Sequence, residues 1–419
     1  MPNFWTDPIG FIAQWLTNVL TGWGASAGLV TFILALLGSI ILPTLAMLFV
    51  IFLIWYERKI YGRMQDRFGP NRVGPWGIFQ TFADMGKIFT KEMITPKGVD
   101  LIPYNLAPIL AVGAVISTWA VMPLSVNIVG VRLSVGLLFV IAMGGLGELG
   151  IMLAGWGSNN KFSLLGGFRA VALLISYEVP MVLAMLIPAM LAGSLDLTKI
   201  VAAQNVPYIL MAPLAAVLFF VTQVAESGRA PFDLAEAESE IVAGYNVEYS
   251  GLKFGMFYVG EFLHAFTSSM LFSTLFLSGY RGPGVDQFPL LGIVYLGIKT
   301  FIVYFFSILS RGGLPRFRID QLLDFNWKYM TPVVLALVFV TALVDKAVVS
   351  LAGDLLLLRA AVLFIVNVLV YLLSVKLAGR NASEEPPVVS VERPLATING
   401  PVAPGSSHLP STGQDHLSA

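Results

Sequence analysis

Six carboxylates crowd into residues 225–251, AESGRAPFDLAEAESEIVAGYNVEYSG: Glu226, Asp233, Glu236, Glu238, Glu240 and Glu248, with Arg229 as the one basic residue among them. Pro231 is placed to open a helical turn, on which Asp233, Glu236 and Glu240 would share a face. Carboxylates held that close repel one another and titrate as a coupled set, which is what a proton-handling site requires. A solvated acidic loop would carry Ser, Lys and Gly between its acids. Here Phe232, Leu234, Ile241, Val242, Tyr245, Val247 and Tyr249 are interleaved instead.

A second set of ionisable residues falls inside apolar segments. Glu148, Glu178, Glu226, Glu261 and Lys299 each lie in or at the end of one. A charge in hydrocarbon costs a few kcal/mol on insertion scales, so each is a functional candidate by default. The bland alternative is a satisfied hydrogen bond or ion pair. Carboxylates in four consecutive helices favour a proton relay, since burial and neighbours tune a Glu toward neutral pH. Glu178 stands two residues before Pro180 in ISYEVPMVLAML. It is expected near the start of its helix, where the proline kink would admit water beside it. His264 is alone in its segment and reads as a packed core histidine. GGLGELG at 144–150 has the spacing of a dinucleotide fingerprint but no strand–turn–helix context, so its glycines are expected to permit close helix packing.

The elements that must position these groups are membrane helices. Of 419 residues, 57% are hydrophobic and only 12% charged, about half the charge of a soluble chain. Apolar runs of about 20 residues recur. The fold class is therefore all-α, a polytopic membrane protein with about nine transmembrane helices and a short interfacial amphipathic helix. The spans are expected near 28–55, 105–123, 133–156, 168–192, 208–226, 254–279, 290–310, 330–346 and 355–377. Residues 1–27 form an N-terminal interfacial segment, 28–377 the transmembrane domain, and 378–419 a Pro-, Ser- and Gly-rich tail expected to be disordered. MPNFWTDPIG lacks a basic start, so no cleavable signal is expected. The chain has no cysteine, which excludes disulfides and thiolate-bound iron–sulfur clusters on it. No metal site is expected. Zero net charge gives no sign of nucleic acid.

Lys and Arg set the orientation. The connections after the first, third, fifth and seventh spans, with their helix ends, carry 16, and the others 5. The positive-inside rule then places the N-terminus outside, and the acidic stretch and the tail in the cytoplasm. The first cytoplasmic connection, IWYERKIYGRMQDRFGPNRVGP, continues after Pro75 as WGIFQTFADMGKIFTKE. There Trp76, Phe79, Ala83 and Gly86 share one helical face, and Gln80, Asp84, Lys87 and Lys91 another, the pattern of a helix lying in the interface plane.

Four stretches carry a family resemblance: ERKIYGRMQDRFGPNRVGPWGIFQTFADMGKIFTKE, WGSNNKFSLLGGFRAVALLISYEVP, the acidic stretch, and RGGLPRFRIDQLLDFNW. In this order they resemble the quinone-site membrane component, the H subunit, of proton-pumping NADH:quinone oxidoreductase (respiratory complex I). The resemblance covers about residues 57–327, with Ala235 where proline is common and Phe162 where tyrosine is common. It implies a subunit of a translocase, inactive alone, in a bacterial plasma membrane. Its substrate would be a quinone (ubiquinone or menaquinone), bound non-covalently at the interface with a peripheral subunit. Iron–sulfur clusters and flavin would sit only on partner subunits. Partners would be the peripheral iron–sulfur quinone-site subunits, the other membrane subunits and the lipid bilayer. By motif, Glu57, Arg58, Gln80, Asp84 and Lys87 would line the quinone path. Arg229, Asp233, Glu236, Glu238 and Glu240 would form an acidic funnel. Glu148, Glu178, Glu226, Glu248 and Glu261 would continue it as a proton relay. The alternatives are the related membrane subunit of a hydrogenase or formate hydrogenlyase, and a stand-alone proton-coupled transporter.

Overall fold

The structure, a computed structural model, describes residues 8–234, 242–285, 287–352 and 355–384. Among these residues the fold is all-α, without a strand. Helices run in the order α1 (Pro8–Gly22), α2 (Ala27–Met64), α3 (Phe79–Thr90), α4 (Leu101–Trp119), α5 (Gly136–Gly157), α6 (Lys161–Ala192) and α7 (Leu197–Ala203). They continue with α8 (Tyr208–Met211), α9 (Pro213–Glu226), α10 (Gly251–Phe276), α11 (Leu290–Gly313), α12 (Ile319–Asp324), α13 (Thr331–Ala352) and α14 (Leu356–Glu384). A π-helical turn, Phe325–Met330, joins α12 to α13. By contacts the chain forms two units, 1–376 and 377–419. Of the second, the described part is the helical end of α14.

Seven described helices are long and apolar enough to cross a membrane: α2, α4, α5, α6, α11, the run Ile319–Leu351, and Leu356–Leu377. The other two expected spans differ. The segment 208–226 breaks at Ala212, because Pro213 cannot donate to a continued helix, and leaves a short apolar helix of 14 residues. The segment near 254–279 is a single helix of 26 residues whose Ser, Thr, Glu, His and Lys dilute its hydropathy. The tail beyond residue 384 lies outside the described residues.

Boundaries shift where caps overrule hydropathy. α6 begins at Lys161 because the Asn160 side chain accepts from the Phe162 N–H at 3.0 Å, and it ends at left-handed Gly193. It runs for 32 residues, so Glu178 lies mid-helix rather than near the start. α2 runs for 38 residues and carries Glu57 and Arg58 inside it. At 1.5 Å per residue it is about 57 Å long, far more than the roughly 30 Å of a bilayer core.

α10 is the central element. Every residue from Ala265 to Phe276 is buried, the condition of a helix enclosed on all sides. The buried hydroxyls of Thr267, Ser269, Ser273 and Thr274 donate within the helix, Ser269 to the Ala265 carbonyl at 2.9 Å. α5 packs between α4 and α6, and glycine allows the approach. A Cβ on Gly150 would lie 2.8 Å from the Ala111 nitrogen of α4, and one on Gly155 would lie 3.0 Å from the Gly167 Cα of α6. The close-packing expectation for the 144–150 glycines therefore holds at Gly150.

α3 is amphipathic but starts later than expected. Trp76 lies before it in a turn with φ of +53°, and its carbonyl accepts from Trp55 Nε1 at 3.1 Å. Thr81 faces inward, and Ile88 packs where Gly255 of α10 lacks a side chain, while Phe79, Phe82 and Phe89 stay exposed.

Candidate functional site

Glu57 is the most heavily bonded carboxylate in the described chain. It is 2% exposed. One oxygen, Oε2, takes Arg229 Nη2 at 3.0 Å and the Tyr304 hydroxyl at 3.0 Å. The other takes Arg311 Nη1 at 2.8 Å. Arg229 is itself 1% exposed, with its guanidinium over the rings of Phe262 at 5.3 Å and Tyr304 at 5.4 Å. Burial works against its charge, but Tyr304, Glu57 and Glu261 outweigh that and push its pKa up. This node joins α2, the acidic stretch, α10 and α11. Two of its members, Tyr304 and Arg311, escaped the sequence. They stand seven residues apart, which puts them on one face of α11.

Arg58, one residue on, points elsewhere. Its Nη1 lies 2.5 Å from Asp84 Oδ2 and ties α2 to α3, with both side chains partly exposed. Gln80 is half-buried and Lys87 exposed on the same short helix.

Beside the node lies a cavity of about 150 Å³, lined by Glu148, Glu226, Glu261 and His264 among apolar side chains of α4, α5, α6, α9 and α10. Glu148 is 9% exposed. It feels the charges of Glu178 and Glu226, and Glu178 feels that of Glu226. Glycines make room for these groups. A Cβ on Gly144 would lie 3.5 Å from Glu226 Oε1, and one on Gly145 would lie 4.0 Å from Glu178 Oε1. So the glycine motif does two jobs, helix packing at Gly150 and carboxylate space at Gly144 and Gly145. His264 is not the isolated core residue expected. Its Nε2 is 3.5 Å from Glu226 Oε1. The available signal was its position three residues after Glu261.

Other predicted residues lie apart. Glu248 accepts from Asn160 Nδ2 at 2.6 Å, at the cap of α6, and is not on the cavity wall. Asp233 accepts from Arg316 Nη2 at 2.8 Å. The segment before it is a series of turns with Gly228 at φ of +62°, so Pro231 opens no helix up to Leu234. Glu236, Glu238 and Glu240 lie outside the described residues. Lys299 has a structural task, donating to the Gly279 carbonyl at 2.8 Å and the Arg281 carbonyl at 2.9 Å.

The family described as NADH dehydrogenase matches residues 37–342, which hold the node and the cavity whole. The H subunit of the NADH-quinone oxidoreductase of Dehalococcoides mccartyi (strain CBDB1) is 43% identical over 293 residues, 70% of this chain and 82% of that protein. The chain belongs to the H-subunit family of NADH-quinone oxidoreductase. Other members are similar to the same degree. That of Brevibacillus brevis is 43% identical over 312 residues, covering 74% of this chain and 92% of the relative. An H subunit of Geobacter metallireducens is 44% identical over 300 residues, covering 69% and 90%. As a member of the H-subunit family, the chain is a multi-pass membrane component of complex I, an oxidoreductase assembly. The resemblance seen in four sequence motifs is thereby met.

Proposed function

We propose that the chain admits a quinone from the bilayer beside α2, α3 and α10, and that the buried node and the cavity beside it match quinone reduction with proton movement. One observation carries this reading: charged groups continue from Glu57 through Arg229 to Glu261 on the cavity wall. Reducing a quinone to a quinol takes two electrons and two protons. The electrons would come from an iron–sulfur cluster on a peripheral partner subunit. Negative charge arriving near Arg229 and Arg311 competes with Glu57 for them. A shift of Arg229 alters the field at Glu261 and changes its hold on a proton. Glu148, Glu178 and Glu226 follow, since each feels the next. Arg58 and Asp84 fix α3 against α2 and shape the mouth, where Gln80 and Lys87 also lie. By motif, Asp233, Glu236, Glu238 and Glu240 belong to the acidic funnel, and Glu248 belongs to the relay that continues it.

The side bearing the node faces the cytoplasm in this reading, from the Lys and Arg asymmetry. A periplasm-dependent phosphatase fused after residue 384 should stay inactive, and strong activity would reverse the orientation. The function itself is tested by Glu261→Gln in the assembled complex. NADH oxidation by a soluble artificial acceptor should persist, while quinone reduction and proton uptake into sealed vesicles fall together. Unchanged quinone reduction and pumping would remove the reading.

A further inference from the structure

One basic group on the cavity wall has no part in the route just described. His264 follows Glu261 by three residues on α10, so both leave the same helical face, and both line the cavity. Its Nε2 lies 3.5 Å from Glu226 Oε1, at the end of α9, and 25% of its side chain is accessible. The ring therefore borders open space on one side and a carboxylate on the other. The ionisable groups around it come from several elements. Glu226 faces it from α9, Glu148 from α5 and Glu261 from its own helix. Glu178 on α6 acts through Glu226, and Arg229 acts through Glu261. The wall given by α4 is uncharged.

We propose that His264 transfers protons within the cavity, taking them from Glu226 and releasing them toward Glu261. This rests on the relay reading above. A neutral imidazole has one nitrogen that accepts and one that donates. When protonated Glu226 gives its proton to Nε2, it becomes a carboxylate and the ring an imidazolium. The ring then passes its Nδ1 proton through cavity water to an ionised Glu261, so one carboxylate gains the proton the other gave up and the total charge is unchanged; the ring, now protonated at Nε2, turns over before the next transfer. One water needs about 10–15 Å³ of such space, so a cavity of about 150 Å³ has room for several. Imidazole is suited to the step because its ordinary titration falls between pH 5 and 8. A second carboxylate in its place would add another repelling charge instead.

The test uses the assembled complex in sealed membrane vesicles, with His264→Gln and, as a smaller replacement, His264→Asn. Both keep a polar side chain beside Glu226, and neither can carry a proton. Electron input, read with a soluble artificial acceptor, should be unchanged. Quinone-linked turnover should fall on the order of tenfold, less than the roughly 100-fold or more of a general acid–base at a reacting centre, because cavity water offers a parallel path. Its rate–pH curve should shift, and the double change with Glu226→Gln should be no worse than either single change. A rate–pH curve and proton uptake that overlay the wild type would assign His264 to packing. Glu148→Gln and Glu261→Gln run beside it. If they impair pumping and His264→Gln does not, this inference alone fails. If none of the three impairs pumping, the relay reading fails with it.

Discussion

Glu57 and Glu148 are both nearly inaccessible carboxylates, at 2% and 9% exposure. Yet their surroundings are opposite. Both oxygens of Glu57 are taken, by two arginines and a tyrosine. Among the described residues no cation pairs with Glu148, whose charged neighbours are Glu178 and Glu226. The first arrangement fixes a charge in place. The second leaves a charge uncompensated, so the state of the group depends on the charges of its neighbours. So the same side chain is a bolt in one region and a switch in the other, and the difference lies in its neighbours.

The sharpest way to break this contrast is Glu57→Ala. It removes the carboxylate 3.0 Å from the buried Arg229, whose Nε and Nη1 already have no hydrogen-bond acceptor among the described residues. Removing one partner of a buried pair costs about 3–5 kcal/mol. The expected outcome is loss of assembled complex from membranes, read by native gel, with Arg229→Met milder because it removes the charge itself.

A second test separates the two uses of the glycine motif. In Gly150→Ala the new Cβ meets α4 backbone at 2.8 Å, an overpacking expected to cost about 1–3 kcal/mol and to lower the melting temperature of the complex. In Gly144→Ala the new methyl meets only the Glu226 carboxylate at 3.5 Å. Thermal stability should hold while quinone-linked turnover drops. A Gly144→Ala complex with full turnover would show that the carboxylate space is incidental.

Glu148→Gln and Glu178→Gln should leave assembly intact, because neither removes an ion pair. Quinone-linked rates should fall about tenfold, equal to about 1.4 kcal/mol of barrier. Assembly losses as large as those of Glu57→Ala would erase the distinction between bolt and switch. The smallest effect is expected at Arg58→Met. Its partly exposed pair with Asp84 contributes about 0–1 kcal/mol to stability. Quinone reduction should weaken more for long-tailed than for short-tailed quinones if α3 shapes the mouth.

Much of this was legible in the sequence. The membrane class and the ionisable residues inside helices follow from residue type and local pattern, and the family from the resemblance of four motifs. Glu57 and Arg229 were each marked, but not their bond, because 172 positions separate them and no local rule joins them. His264 was misread for the same reason: its partner is on another helix. The bond of Glu248 to Asn160 at the cap of α6 was hidden likewise, because 88 positions separate the two. At Pro231 the chain runs in turns as far as Leu234, and the rest of the expected helix lies outside the described residues. The extent of α6 depended on a side-chain cap rather than on hydropathy.

The interruption at Ala212 has a consequence for how the protein is made. α9 has 14 residues, about 21 Å of helix, too short to reach across a bilayer core by itself. α10 is long enough, but its Glu261, His264 and hydroxyls keep it out of the set of strongly apolar spans. These two helices carry Glu226, Glu261 and His264. During synthesis α9 would leave the insertion machinery too short, and α10 too polar, to be held by lipid alone, after α4, α5 and α6 are already in place. Those earlier helices supply the surface on which α9 and α10 become buried. The cavity's chemistry therefore ties biogenesis to order: the helices that carry Glu226, Glu261 and His264 become buried against helices that enter the membrane before them.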